Sequence, residues 1–314
     1  MQFNNTVFLI ITSTIVLYAI FLFIPDFNLI QEKISNFKTN YLPIILILVT
    51  LSLIPIFIRW HLLLKNCEID IPLTKSIAVF LSGMAFDITP GQIGALMKSQ
   101  ILKISSNIPR TKTAPIIFIE KLYDLIGAVI AASMGIIILG LEPYLIIIAI
   151  SVLATIFFFM YYRPASELFF KRITKTKFFS KYVENISEFD TIIQKSTNVK
   201  MATICILLAI TYWLIIGSAV YCTLIAFDIN ALDYLKVLAI YATSALLGAI
   251  SFIPGGIGVT EGTLTGLLTL EGIGVSTALI LSVMIRIFIL WYPVCLGFIS
   301  LKFTGGFSFR KNSI

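Results

Sequence analysis

The sequence predicts an all-α polytopic membrane protein: about six full transmembrane helices plus two broken re-entrant helical hairpins in an inverted-topology repeat. Three observations carry this prediction. First, 58% of the 314 residues are hydrophobic and only 12% are charged, against about 45–50% and about 25% in soluble domains. Second, the apolar residues gather into runs long enough to cross a bilayer, which takes about 20 residues each. Third, two longer apolar runs are interrupted by related Pro-Gly strings. A mean hydropathy of +0.99 excludes a soluble enzyme, a DNA-binding module and a disordered chain.

In chain order, residues 6–24 form a first span, with no basic region before it and no small-residue cleavage site after it, so it does not read as a signal peptide. Residues 41–63 form a second span, ending at Arg59, His61 and Lys65. Residues 72–105 are apolar but broken by Thr89-Pro90-Gly91-Gln92-Ile93-Gly94, residues 113–140 form a long span with charges inside it, and residues 144–162 form another span. The polar stretch 163–200 holds eight Lys/Arg and four acids. Residues 201–226 span again, residues 234–270 are apolar but broken by Pro254-Gly255-Gly256-Ile257-Gly258, and residues 275–301 form the last span. The organisation is one membrane domain over 1–314. It comprises a peripheral first helix and loop (1–40), a first repeat plus an extra span (41–162), the basic cytoplasmic segment (163–200), a second repeat (201–302) and a tail (303–314).

Lys and Arg concentrate on the cytoplasmic side of membrane proteins. With 163–200 inside and each interrupted stretch dipping in and returning, inside loops hold 18 Lys/Arg and outside loops hold three, Lys33, Lys38 and Lys236. Both termini are then cytoplasmic, in the cell membrane of a prokaryote. The same rule accounts for the net charge of +7 without nucleic acid as a partner.

The two interrupted stretches define the expected site. Proline removes a donor and blocks the preceding turn; glycine permits positive φ. Each Pro-Gly-x-Ile-Gly string should stop one half-helix and start another near Gly91 and Gly255. A helix N-terminus attracts phosphate or carboxylate. An isolated Pro-Gly reads as a simple kink, but duplication in opposite orientation favours paired broken helices around a midplane site. The substrate-binding candidates are therefore Thr89, Pro90, Gly91, Gly94, Lys98, Pro254, Gly255, Gly256, Gly258, Glu261 and Arg286. Arg286 leads as a phosphate ligand, because guanidinium stays charged and binds oxyanions bidentately.

Charges within spans cost about 2.5–3.5 kcal/mol each on insertion scales and should face a polar interior. Asp87, Lys98, Glu120, Lys121, Asp124, Glu261 and Arg286 are such charges, four negative and three positive. Glu120 and Asp124 are four apart and share a helix face. Asp87, Glu120, Lys121 and Asp124 read as a charge network or coupling site, or as a structural web of ion pairs. No catalytic triad, metal cluster or cofactor motif is expected; Gly91-x-x-Gly94-x-x-x-Lys98-Ser99 lacks phosphate-loop spacing. His61 reads as an interfacial anchor, and Cys67, Cys205, Cys222 and Cys295 show no metal or disulfide spacing. The 163–200 segment reads as a basic helix on anionic lipid or as a solvated loop.

Three strings, TPGQIGALMKSQIL (89–102), IEKLYDLIG (119–127) and FIPGGIGVTEGTL (252–264), closely resemble the transmembrane region of lysylphosphatidylglycerol synthases. The resemblance covers nearly the whole chain. It implies a flippase-like region moving lipid between leaflets, here expected as a stand-alone member without the synthase domain, handling lipids or polyprenyl-linked glycans. The family's acidic motif maps to Glu120 and Asp124, and its Pro-Gly-Gly motif to Pro254–Glu261. Lys121 stands where some relatives are expected to carry Arg. The leading expectation is a lipid translocase for an anionic or aminoacylated phospholipid or a polyprenyl-phosphate-linked lipid, working by alternating access. The alternatives are a membrane-embedded transferase or hydrolase acting on lipid phosphate, with Glu120 or Asp124 as base, and an accessory subunit docking a cytoplasmic enzyme. A homo-oligomer is compatible with each.

Overall fold

The computed structural model describes residues 27–89, 94–138 and 186–304, with a few positions between 147 and 158. The expected span 6–24, most of the expected span 144–162, residues 163–185 of the basic segment, and Pro90 and Gly91 lie outside the described residues.

Every regular element among the described residues is helical. Helix α1 covers Phe27–Ser35 and α2 covers Leu42–Asn66, entered through a 3-10 turn at Thr39–Tyr41. Helices α3 (Leu73–Met84) and α4 (Met97–Ser106) flank the first break, and α5 follows over Arg110–Ile138. Helix α6 (Ile186–Thr197) leads into α7 (Val199–Ala226). Helices α8 (Tyr234–Ile250) and α9 (Val259–Leu270) flank the second break. The last rod runs from α10 (Val275–Arg286) through a π-helical turn at Ile287–Trp291 into α11 (Tyr292–Phe303). Pro293 in that rod lacks an N–H and crowds the carbonyl four residues back, which accounts for the wider turn before it.

Three of these helices are long and apolar enough to cross a membrane: Thr39–Asn66, Val199–Ala226 and Val275–Phe303. On α2, Ile44, Ile47, Leu51, Ile54 and Ile58 point outward while Ile45, Val49, Ser52 and Arg59 are buried. An apolar outer face at helical spacing suits lipid, because a helix apolar all round is either a core helix or a membrane span. Helix α5 has 29 residues, long enough to span, but carries Glu120, Lys121 and Asp124. At 1.5 Å per residue, the 12 residues of α3 and of α9 fall well short of a hydrocarbon core of about 30 Å.

Both interruptions are real breaks in the helices, and the second halves begin later than the motifs suggested, at Met97 and Val259 rather than near Gly91 and Gly255. At the second break Gly255, Gly256 and Gly258 have φ of 60°, 64° and 87°, values outside any right-handed helix. A 3-10 turn at Pro254–Gly256 carries the chain through. At the first, Thr89 Oγ1 donates to the Phe86 carbonyl at 2.7 Å and accepts from the Gly94 N–H at 2.6 Å, closing a local loop instead of a helical turn.

Helix α2 packs against α7, α5 against α8, α3 against α11 and α9 against α10. Their buried faces make two cores. One gathers Trp60, Phe80, Ile101, Ile116, Tyr123 and Ile192. The other gathers Val49, Trp213, Val220, Leu238, Leu281 and Phe288.

Candidate functional site

The first core contains a cluster of six charges. Glu120 and Asp124, one turn apart on α5, face two cations from other helices. Lys98, in the first turn of α4, pairs with Glu120, and both side chains are buried. Its ammonium lies 4.4 Å from the Trp60 ring centroid and 5.7 Å from that of Phe80. The Lys98 stem occupies the space above Gly83, where a Cβ would come within 2.5 Å of Lys98 Cγ. Arg59 on α2 is 0% exposed and pairs through Nη2 with Asp124. Lys121 Nζ lies 3.5 Å from Asp124 and 4.0 Å from Asp87, the residue three positions after α3.

A small cleft of about 40 Å³ runs between these groups, lined by all six charges and by Ile56, Phe80, Gly83 and Met84. Arg59 Nε and Nη1 are buried and have no hydrogen-bond partner. Leaving such donors unmet costs about 1–3 kcal/mol per group. Asp87, Lys121 and Asp124 each keep about a third of their side-chain surface open. The cleft therefore has a closed side, sealed by the Lys98–Glu120 pair under two aromatic rings, and an accessible side.

The second break carries the reverse arrangement. Glu261, in the first turn of α9 and 0% exposed, accepts the Gly258 N–H at 2.7 Å and the Arg286 Nε–H at 2.9 Å. Arg286 also donates from Nη2 to the Gly255 carbonyl. The anion expected at this helix N-terminus is thus the protein's own carboxylate, and the guanidinium expected to hold a head group holds the break. Gly256 packs against Gly248, where an added Cβ would stand 3.0 Å from Gly248 Cα. Pro254 starts the turn.

Each post-break helix is tied to the next long helix by a buried ion pair of opposite polarity. In the first, the cation is on the post-break helix (Lys98–Glu120); in the second it is on the following helix (Glu261–Arg286). The structure thus brings Asp87, Lys98, Glu120, Lys121 and Asp124 into one cleft, and Gly255, Gly258, Glu261 and Arg286 into one clasp. Thr89 and Gly94 form the loop between Asp87 and Lys98.

Arg59 is the member that sequence reasoning missed, because it stands next to His61 near the end of an apolar run and reads as a flanking charge. The seven charges counted within spans were one cation short of balance, and Arg59 supplies it. His61 has a specific seat as well: its Nδ1 lies 3.0 Å from Ser76 Oγ and its ring stacks on Phe57.

Long apolar helices, helices broken inside apolar stretches and a buried charged cleft define a polytopic helical membrane protein with a polar interior. The sequence matches the family described as lysylphosphatidylglycerol synthase TM region over residues 9–297, and the chain belongs to that family. It is also similar to a UPF0104 membrane protein of Pyrococcus horikoshii, at 26% identity covering 76% of this chain and 80% of the relative.

Proposed function

We propose that the protein is a lipid translocase of the prokaryotic cell membrane. The head group of a phospholipid or polyprenyl-phosphate-linked lipid enters the cleft between α2, α3, α4 and α5 while its chains stay in the bilayer. One observation carries the reading: Arg59 lines the cleft fully buried, with two N–H groups lacking acceptors. Guanidinium donors of this kind suit a phosphate oxygen. Membership of the family supports it, as do the breaks between α3 and α4 and between α8 and α9, since helices broken at membrane depth are tolerated where they line a cavity.

In this reading α3–α4 and α8–α9 are re-entrant hairpins entering from the cytoplasmic and outer faces, in an inverted repeat that exposes the cleft to each leaflet in turn. Both termini are cytoplasmic, and the basic stretch 163–200 rests on anionic lipid. Lys98–Glu120 and Glu261–Arg286 keep each post-break helix attached to its neighbour during the movement. The lipid leaves chemically unchanged, so the protein is not an enzyme and needs no cofactor.

The test is movement of fluorescent phospholipids across proteoliposomes containing the purified chain. Wild type should move lipid faster than empty vesicles, and mass spectrometry should find the lipid intact. Arg59→Gln should reduce the rate at least about tenfold, in line with the loss of a charged hydrogen-bonding partner. A wild-type rate in Arg59→Gln would remove the cleft from the reading, and no movement of any lipid by folded protein would remove the translocase.

A further inference from the structure

We infer that the cleft selects a small zwitterionic head group, a phosphodiester beside a primary ammonium, over an anionic one. The inference rests on the translocase reading and narrows it to a substrate class.

The lining carries three cations, Arg59, Lys98 and Lys121, and three acids, Asp87, Glu120 and Asp124. The cleft is therefore electrically balanced before any ligand enters. Lys98 and Glu120 close on each other. Arg59 keeps Nε–H and Nη1–H without acceptors. Asp87 is the complementary group. Its closest cation, Lys121 Nζ, stands 4.0 Å away, beyond hydrogen-bond reach, and about a third of its side chain is open. Lys121 sits nearer to Asp124, at 3.5 Å.

One wall thus offers donors without acceptors, and another offers a carboxylate without a close donor. An anionic head group answers only the first and adds an unbalanced negative charge to a neutral, partly buried site, which is the costly arrangement where water is scarce. A zwitterion answers both walls and adds no net charge. Its phosphate oxygens accept from Arg59, and its ammonium donates to Asp87. A primary ammonium has three N–H donors; a trimethylammonium has none. Ile56, Phe80 and Met84 complete the lining and suit the glycerol and acyl end of a lipid.

The experiment uses full-length protein in proteoliposomes of a neutral host lipid. Trace fluorescent phosphatidylethanolamine, phosphatidylglycerol and phosphatidylcholine, labelled on the acyl chain, are compared. Wild type should move phosphatidylethanolamine at least about tenfold faster than either of the others. Asp87→Asn gives the cleft a net positive charge, and should slow phosphatidylethanolamine and speed phosphatidylglycerol, whereas Asp87→Glu should keep the original order. Phosphatidylglycerol moving as fast as phosphatidylethanolamine in wild type, or an unchanged order in folded Asp87→Asn, overturns the zwitterion inference while leaving a translocase in place. Failure of all three lipids to move instead strikes the translocase reading. If Asp87→Asn does not fold, the wild-type ratio decides alone. Uptake of soluble phosphoethanolamine at a rate matching the lipid would overturn the assignment to a lipid head group.

Discussion

At the scale of single residues, the buried ion pairs set the largest energies. Removing one partner of a buried pair strands the other charge and costs about 3–5 kcal/mol, whereas replacing both with apolar groups can be close to neutral. Lys98→Met should therefore lower stability by about that amount, and Lys98→Met with Glu120→Leu should recover most of it. Thermal unfolding in detergent checks the order; a double variant no better than the single would mean that the pair does not act as a unit. Glycines divide just as sharply. Gly94→Ala would drive its Cβ into the Phe86 carbonyl and Thr89 Oγ1, while Gly262→Ala meets nothing within 4 Å. The first should destabilise by about 1–3 kcal/mol, and the second, mid-helix, should stabilise by about 0.5–1 kcal/mol, as read by the same melts. Much of this layer was legible in the sequence. Charges isolated in apolar runs have to find one another, and Lys98 with Glu120, and Glu261 with Arg286, do so. Arg59 was not legible from its own neighbourhood, because position near a span end cannot tell a flanking charge from a buried one.

At the scale of elements, what the sequence announced was where helices stop. The Pro-Gly strings mark both breaks, but the restart points depended on contacts between distant residues. Three left-handed glycines at the second break delay α9 to Val259, and the Thr89 hydroxyl captures the Gly94 amide at the first. Neither detail follows from a run of apolar letters. One helix start is set by a single side chain: Asn198 Oδ1 accepts the Met201 N–H at 2.9 Å at the head of α7. Asn198→Ala should cost about 1 kcal/mol, while Asn198→Asp or Asn198→Ser should keep most of the stability, because each retains an acceptor for that amide. Chemical unfolding in mild detergent reads the difference, and equal losses in all three would deny the cap its role.

At the scale of the whole molecule, α2 and α7 run antiparallel, joined at each end by an exposed ion pair. Lys38 Nζ lies 2.8 Å from Asp228 at one end, and Lys195 Nζ lies 2.6 Å from Glu68 at the other. Between them α2 rises about 38 Å at 1.5 Å per residue, so the pairs stand near opposite faces of a bilayer. The hydrogen bond from Lys38 holds the Asp228 carboxyl below its ordinary value, and that from Lys195 does the same for Glu68. A carboxylate lowered in the folded state contributes stability above its unfolded pKa of about 4 and loses it as pH falls through the folded value. Acidifying a sample below about pH 4 should thus loosen both ends, and Asp228→Asn with Glu68→Gln should flatten that acid limb of the melting-temperature profile. An unchanged profile would show that neither pair takes part. This long-range pairing was invisible in sequence, since 190 positions separate Lys38 from Asp228. The segmentation into apolar runs that makes it geometrically feasible was plain.

The opposed polarity of the two buried clasps also bears on how the chain can change over generations. A post-break helix transplanted from one half to the other would set Lys98 against Arg286, or Glu261 against Glu120, so that like charges meet where no water can separate them. The halves have become non-interchangeable parts. Recombination between them is penalised, and any drift at one clasp must be matched by its own mate rather than borrowed from the sister half.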